Sequence, residues 1–110
     1  MGRRRREDLH GFDVMTAVDF ALARTREAWE NGYDEIEFVH GAADVQEQVD
    51  GGRGRIKWEL RDLLESGQLD RWASRDRSWP RASSVVVALR RNPRPRPERW
   101  DAAPRRAHRR

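Results

Sequence analysis

Asp8-Leu9-His10-Gly11 and Val39-His40-Gly41 each place an imidazole directly before a glycine, and the first adds a carboxylate two residues upstream of its ring. In an extended strand residues i and i+2 share a face. Asp8 and His10 therefore point the same way, while Leu9 points into a core. A carboxylate beside an imidazole orients the ring and stabilises its cation, and imidazole exchanges protons near neutrality, as general acid–base chemistry requires. Gly51-Gly52-Arg53-Gly54 then runs into Arg55-Ile56-Lys57. Glycines ahead of a helix leave backbone N–H groups open to an anion, with the helix dipole assisting. Two imidazoles, a carboxylate and an anion cradle are parts for phosphodiester cleavage. Each is weak alone: Asp-X-His on a strand is usually a polar edge, and His-Gly is usually a turn. Their meeting at one place is what favours function.

The elements that must bring them together are legible. Arg6–His10 reads as a strand ending at Gly11. Asp13 can cap a helix whose apolar residues Val14, Val18, Ala21, Leu22 and Trp29 recur at helical spacing, with Gly32 as its stop. Glu35–Val39 alternates charge with apolar side chains, as a half-buried strand does. Residues 42–53 form a polar, acidic loop carrying Asp44, Glu47 and Asp50. Gly54 opens a second helix with Ile56, Leu60, Leu63 and Leu64 on one face, and Gly67 ends it. Leu69–Ala73 and Ser84–Arg90 are the last two strands, giving a two-layer α/β domain of order βαβαββ. A strand–helix–strand crossover joins parallel neighbours. Strands one and two then end at one sheet edge, where the second helix also begins, and open α/β sheets place ligands at such edges. Phe20 and Trp58 fall opposite their helices' apolar faces and read as surface aromatics.

The 110 residues fit one domain. Charged residues are 38% and hydrophobic ones 36%, with mean hydropathy −1.05, so the core must be small. Every Leu, Ile, Val and Phe lies between Leu9 and Leu89. This divides the chain into a basic arm (1–6), a folded domain (7–90) and a Pro/Arg-rich tail (91–110), with both basic ends unstructured. The longest apolar run, Val85–Leu89, is five residues, far below the ~20 of a membrane-spanning helix. No apolar signal-peptide core follows the N-terminal arginines. The absence of cysteine excludes disulfides, thiolate chemistry and the strongest zinc signatures. A cytoplasmic domain with no membrane association, no metal ligand set and no resident cofactor is expected.

The net charge of +4 hides a division, since residues 7–90 sum to −6 and the two ends are basic. Basic ends suit a polyanion, because each arginine near a phosphate releases counterions. A solubilising extension is the plainer alternative. Asn92–Asp101, with its alternating prolines, reads as an extended arm in which Trp100 has no evident core to join.

At Asp8-Leu9-His10-Gly11, the helix after it, Phe38-Val39-His40-Gly41, Gly52-Arg53-Gly54-Arg55-Ile56-Lys57 and Val85–Leu89, the chain resembles the Smr (small MutS-related) domain over most of residues 7–90. The resemblance implies a fold like the C-terminal domain of translation initiation factor 3. It also implies endonuclease activity on DNA or RNA, in some members on messenger RNA at ribosomes. Asp8 and His10 correspond to the acid and histidine of the family's first motif, and His40, Gly41, Gly52 and Gly54 to its second. The chain departs from the pattern at Glu7, where leucine is usual, and in the nine residues Ala42–Asp50 inserted before the glycine turn. Ser78-Trp79-Pro80-Arg81 also stands where a glycine-rich turn precedes the last strand.

RNA is the favoured substrate on economy of parts. Ribose brings its own nucleophile, the 2′-hydroxyl, whereas DNA hydrolysis needs an activated water, usually held by metal ions. In this scheme His10 is the general base or acid and Asp8 orients it. His40, Gly41 and the N–H groups of Gly52–Gly54 hold the phosphate, with Arg53, Arg55 and Lys57 adding charge. The alternatives are a non-catalytic nucleic-acid- or ribosome-binding module, a DNA-nicking enzyme that takes a divalent metal, and an adaptor using Phe20, Trp58 and the Pro/Arg arm.

Overall fold

A computed structural model describes residues 2–45 and 54–105. In chain order they form β1 (Arg4–Asp8), α1 (Val14–Glu30), β2 (Glu35–Val39), α2 (Arg55–Glu65), β3 (Ala73–Pro80) and β4 (Ser84–Leu89). The four strands make one mixed sheet ordered β1-β2-β4-β3. β1 runs parallel to β2 with Asp8 opposite Val39, and the β2–β4 and β3–β4 pairs are antiparallel. The coarse expectation of a two-layer α/β domain holds. α1 packs on β2 and β4, α2 on β4 and β3, and the helices touch each other. Among the described residues no helix is long and apolar enough to cross a membrane.

The core lies between helices and sheet. Ile36 and Phe38 from β2, Val85, Val87 and Leu89 from β4, and Leu9 just beyond β1 meet Ala17, Phe20, Ala21, Leu60 and Leu63. Strand alternation puts the other side chains on the far face. There Glu37 accepts from Ser84 Oγ at 2.6 Å and Arg81 Nη1 at 3.3 Å. α1 begins as its sequence dictates, with Asp13 Oδ2 accepting from Thr16 N at 3.0 Å. The Thr16 hydroxyl and backbone N–H together hold the Asp13 carboxyl below the usual carboxylate range.

Phe20 is not a surface aromatic. It is buried and meets Phe12 edge-to-face at 5.7 Å. The buried stripe of α1 is Ala17, Phe20, Ala21, Arg24 and Ala28, so Val18, Leu22 and Trp29 flank it. Arg24 misleads a reading by hydropathy. Its guanidinium is buried against Glu7 at 3.0 Å and Glu27 at 2.9 Å, so a charged side chain occupies the core face.

The described residues before α1 and after β4 make more contacts than composition suggests. Arg4–Arg6 are strand, paired in register with Glu35–Glu37, and Arg4 Nε meets Glu35 at 2.8 Å. Opposed charges across neighbouring strands stabilise this edge in place of apolar packing. The segment after β4 is no free arm either. Arg96 N donates to Glu30 O at 2.9 Å, Asn92 Nδ2 to Trp29 O at 2.8 Å, and Asn31 Nδ2 to Arg99 O at 2.9 Å. Its prolines, having no N–H to satisfy, let it lie across the carbonyl end of α1 without a ladder of its own. Trp100 does join the body. It meets Tyr33 edge-to-face at 5.4 Å, with the Arg5 guanidinium 4.2 Å from its ring centre. Its Nε1 and the Tyr33 hydroxyl both donate to Glu98, holding that carboxyl below its ordinary range.

The third strand also differs from expectation. Leu69–Ala73 is a turn in which Trp72 N and Ala73 N both donate to Leu69 O. The strand is Ala73–Pro80, an outer strand with an irregularity between Ser74 and Trp79. Pro80 is tolerated because an outer strand need not donate on its open side.

Candidate active site

β1 and β2 are parallel, so their carboxyl ends reach the same sheet edge, and Leu9 N donates to Val39 O at 2.8 Å just past the pairing. Beyond that bond each chain turns. Gly41 has φ +76, and a Cβ placed on it would lie 3.6 Å from His10 Cβ. The two His-Gly turns are therefore neighbours, as the topology requires.

His10 and Asp8 form a pair. His10 Nδ1 lies 2.8 Å from Asp8 Oδ1 and 3.0 Å from Oδ2, and His10 N also donates to Oδ1 at 3.0 Å. A carboxylate only accepts, so Nδ1 carries the hydrogen, and in the neutral ring the lone pair is on Nε2. The side chains are 63% and 46% exposed, leaving Nε2 open to a ligand. Leu9 between them is fully buried and fixes both neighbours outward. Glu7 points to the opposite face, where Arg24 and Arg5 each approach Oε2 at 3.0 Å. The Glu7 charge is thus paired away from His10.

His40 is placed differently from His10. It is buried, and its Nδ1 accepts from Ala42 N at 3.1 Å. The hydrogen therefore sits on Nε2, which is buried and has no hydrogen-bond partner among the described residues. Burial first, then the charges of Lys57 and Arg61, lower its pKa to about 4. Near neutrality His40 is an uncharged part of the wall. It does not offer a cation to a phosphate.

Lys57 is likewise turned inward. It is buried, and its Nζ donates to the carbonyls of Val45 and Ala42. It ties the first residues of the inserted loop to α2 and is not extended toward solvent. Gly54, at φ +84, caps α2 without a side-chain bond. A Cβ there would lie 2.9 Å from Val45 Cγ1, so Val45 covers this turn and glycine is required beneath it. Arg55 is exposed at the start of the helix. Gly52 and Arg53, the rest of the expected cradle, lie outside the described residues. The structure thus brings together Asp8, His10 and Gly41, and separately packs His40, Gly54 and Lys57 against the loop. Trp58 is half-buried, with the Arg61 guanidinium 4.8 Å from its ring centre.

The sequence reading missed the roles of Lys57 and Val45. One signal was available, since the only lysine of the chain falls at a position adjoining the apolar stripe of α2. Among the described residues no three His, Cys, Asp or Glu side chains gather as a metal ligand set. Comparison with protein-family models, with curated proteins and with solved structures gave no match to this chain.

Proposed function

We propose that the protein is a small endonuclease of Smr type that cleaves RNA by general acid–base catalysis at His10. The observation that carries this reading is the exposed His10–Asp8 pair, 2.8 Å apart, at the end of an edge strand. Asp8 fixes the tautomer that leaves Nε2 basic and stabilises the imidazolium formed when Nε2 takes a proton. Nε2 accepts the proton of the ribose 2′-hydroxyl, whose oxygen attacks the adjacent phosphorus, and the P–O5′ bond breaks as the 5′-oxygen takes a proton from solvent water, the His10 imidazolium returning its own proton to solvent. The products are a 2′,3′-cyclic phosphate and a 5′-hydroxyl end. Gly41 lets substrate backbone approach the ring closely. In this reading the phosphate is held by Arg55 and by the segment containing Gly52 and Arg53, with His40 and Lys57 supporting the wall behind. Incubation with single-stranded RNA tests it: the parent protein cleaves, and His10→Ala binds the RNA without cleaving it.

A second reading is a nucleic-acid- or ribosome-binding module without chemistry. The inward packing of His40 and Lys57 favours it, since two of the charges expected on the phosphate are not offered to one. RNA binding without cleavage by the parent protein would decide for it.

A further inference from the structure

Several arginines in this chain meet carboxylates: Arg3 meets Glu98, Arg4 Glu35, Arg5 Glu7, Arg81 Glu37 and Arg96 Glu30. Three that line one recess do not. At the sheet edge opposite His10, Arg77, Arg90 and Arg91 border a hollow of about 330 Å³, together with Asp34, Leu89 and Asn92. Arg77 Nη2 donates to Leu89 O at 3.1 Å and Arg90 Nε to Asp70 O at 2.7 Å. Arg91 makes no hydrogen bond or ion pair among the described residues. A carbonyl fixes a guanidinium without cancelling its charge, and each of these guanidiniums keeps N–H groups to spare. The one carboxylate in the wall, Asp34, already accepts from Arg3 N at 2.7 Å. The hollow is therefore lined by three arginines, two of them held in place, against one carboxylate, a net charge of +2.

We propose that this recess binds phosphate groups of a polynucleotide backbone, as an anchor remote from the His10–Asp8 pair. Planar guanidiniums with several N–H groups suit phosphate oxygens. The open face of the sheet is a poorer candidate, because Arg4 and Arg81 there are paired with Glu35 and Glu37. β4 runs from Ser84, beside the His40 turn, to Leu89 in the recess wall. At ~3.4 Å per residue the two sites are roughly 20 Å apart. That span holds about six nucleotides at the helical rise of 3.4 Å, and fewer when the strand is extended. The proposal rests on the nucleic-acid reading above but not on cleavage.

The test is the binding of a fluorescein-labelled 15-nucleotide single-stranded RNA by anisotropy across a salt series. Arg77→Ala/Arg90→Ala/Arg91→Ala should weaken binding at least tenfold and flatten the salt slope by about two, at ~0.7 for each phosphate no longer neutralised. Because Arg77 and Arg90 also hold backbone carbonyls, Arg91→Glu serves as a variant that disturbs no bond of the fold, with a loss of threefold or more. A trinucleotide, too short to span both sites, should compete poorly with the 15-mer. Parental affinity and slope in both variants would overturn the proposal. So would equal competition by polyglutamate of matched charge, or no RNA binding by the parent. Weakened binding by the arginine variants, with no cleavage by the parent, would sustain the anchor while removing the nuclease. Cleavage by the parent with unchanged binding in the variants would do the reverse.

Discussion

His10 and His40 stand at the ends of neighbouring parallel strands and hold their protons on opposite nitrogens. In His10 Nδ1 donates to the Asp8 carboxylate at 2.8 Å, whereas in His40 Nδ1 accepts from the Ala42 N–H at 3.1 Å. Two His-Gly turns that look equivalent in the sequence are thereby assigned different work, one facing solvent with a basic Nε2 and one closed into the wall.

The tautomers can be read directly. Long-range ¹H–¹⁵N correlation spectra above pH 7 should show His10 as the Nδ1–H form and His40 as the Nε2–H form. Asp8→Asn should disturb the first pattern and leave the second. An Nε2–H His10 in the parent would show that the Asp8 pair does not govern its ring.

Asp8→Asn should also reduce cleavage, and by less than His10→Ala. A hydrogen bond to a charged group contributes about 1.5–3 kcal/mol when shielded, and the exposure of this pair places the effect at the low end, roughly tenfold. Removing the ring removes general acid–base catalysis itself, a factor of about 10² to 10⁴. Equal losses would place both groups on one indivisible step.

Acidification should destabilise the fold through His40. Its pKa is lowered to about 4 in the folded protein, against about 6.5 unfolded. The unfolded chain therefore binds the proton first. Stability is retained above about pH 6.5 and falls as pH drops toward 4, by on the order of 2 kcal/mol. His40→Asn, whose Oδ1 can accept from Ala42 N, should flatten that decline in a thermal melt series from pH 7 to 4.5. An unchanged decline would assign it to the carboxylates.

Gly54→Ala should cost about 1–3 kcal/mol, through the positive φ and the contact with Val45. Urea titration measures it. Because Lys57 donates to the carbonyl of this same Val45, Lys57→Met should loosen the loop and increase proteolysis near residue 45. A neutral Gly54→Ala would mean that the loop does not rest on the helix start.

Trp100→Ala should lower stability by about 2 kcal/mol, since it removes the packing of this ring against Tyr33, Arg5 and Arg24. Truncation after Arg91 should have at least that effect. If truncation changes nothing, the arm does not hold the end of α1.

What the sequence revealed and what it concealed divide along physical lines. Both helices, β2, β4 and the shared edge of the His-Gly turns were legible because they rest on local signals: the Asp13 cap, the period of Leu60, Leu63 and Leu64, and the alternation in Glu35–Val39. The first strand was legible but shifted, expected over Arg6–His10 and found over Arg4–Asp8; its start and the C-terminal arm were hidden because charge pairs between residues far apart hold them, such as Arg4 with Glu35 and Arg3 with Glu98. Composition counts such residues as solvated. The inward turn of His40 and Lys57 was hidden for a related reason. Their partners are backbone groups of Ala42 and Val45, and no side-chain pattern announces those. Asp8 and His10 were legible as a pair from their spacing, although the strand ends at Asp8 and His10 lies in the turn beyond it, held there by its N–H and Nδ1 on the Asp8 carboxylate.

The most direct measurement is incubation of the parent protein with a defined single-stranded RNA in EDTA, followed by analysis of the new ends. The expected result is chelator-resistant cleavage leaving 2′,3′-cyclic phosphate and 5′-hydroxyl termini, abolished in His10→Ala. Cleavage that vanishes in EDTA and returns with Mg²⁺ or Mn²⁺, or RNA bound and left intact, would contradict a reaction run by the His10–Asp8 pair.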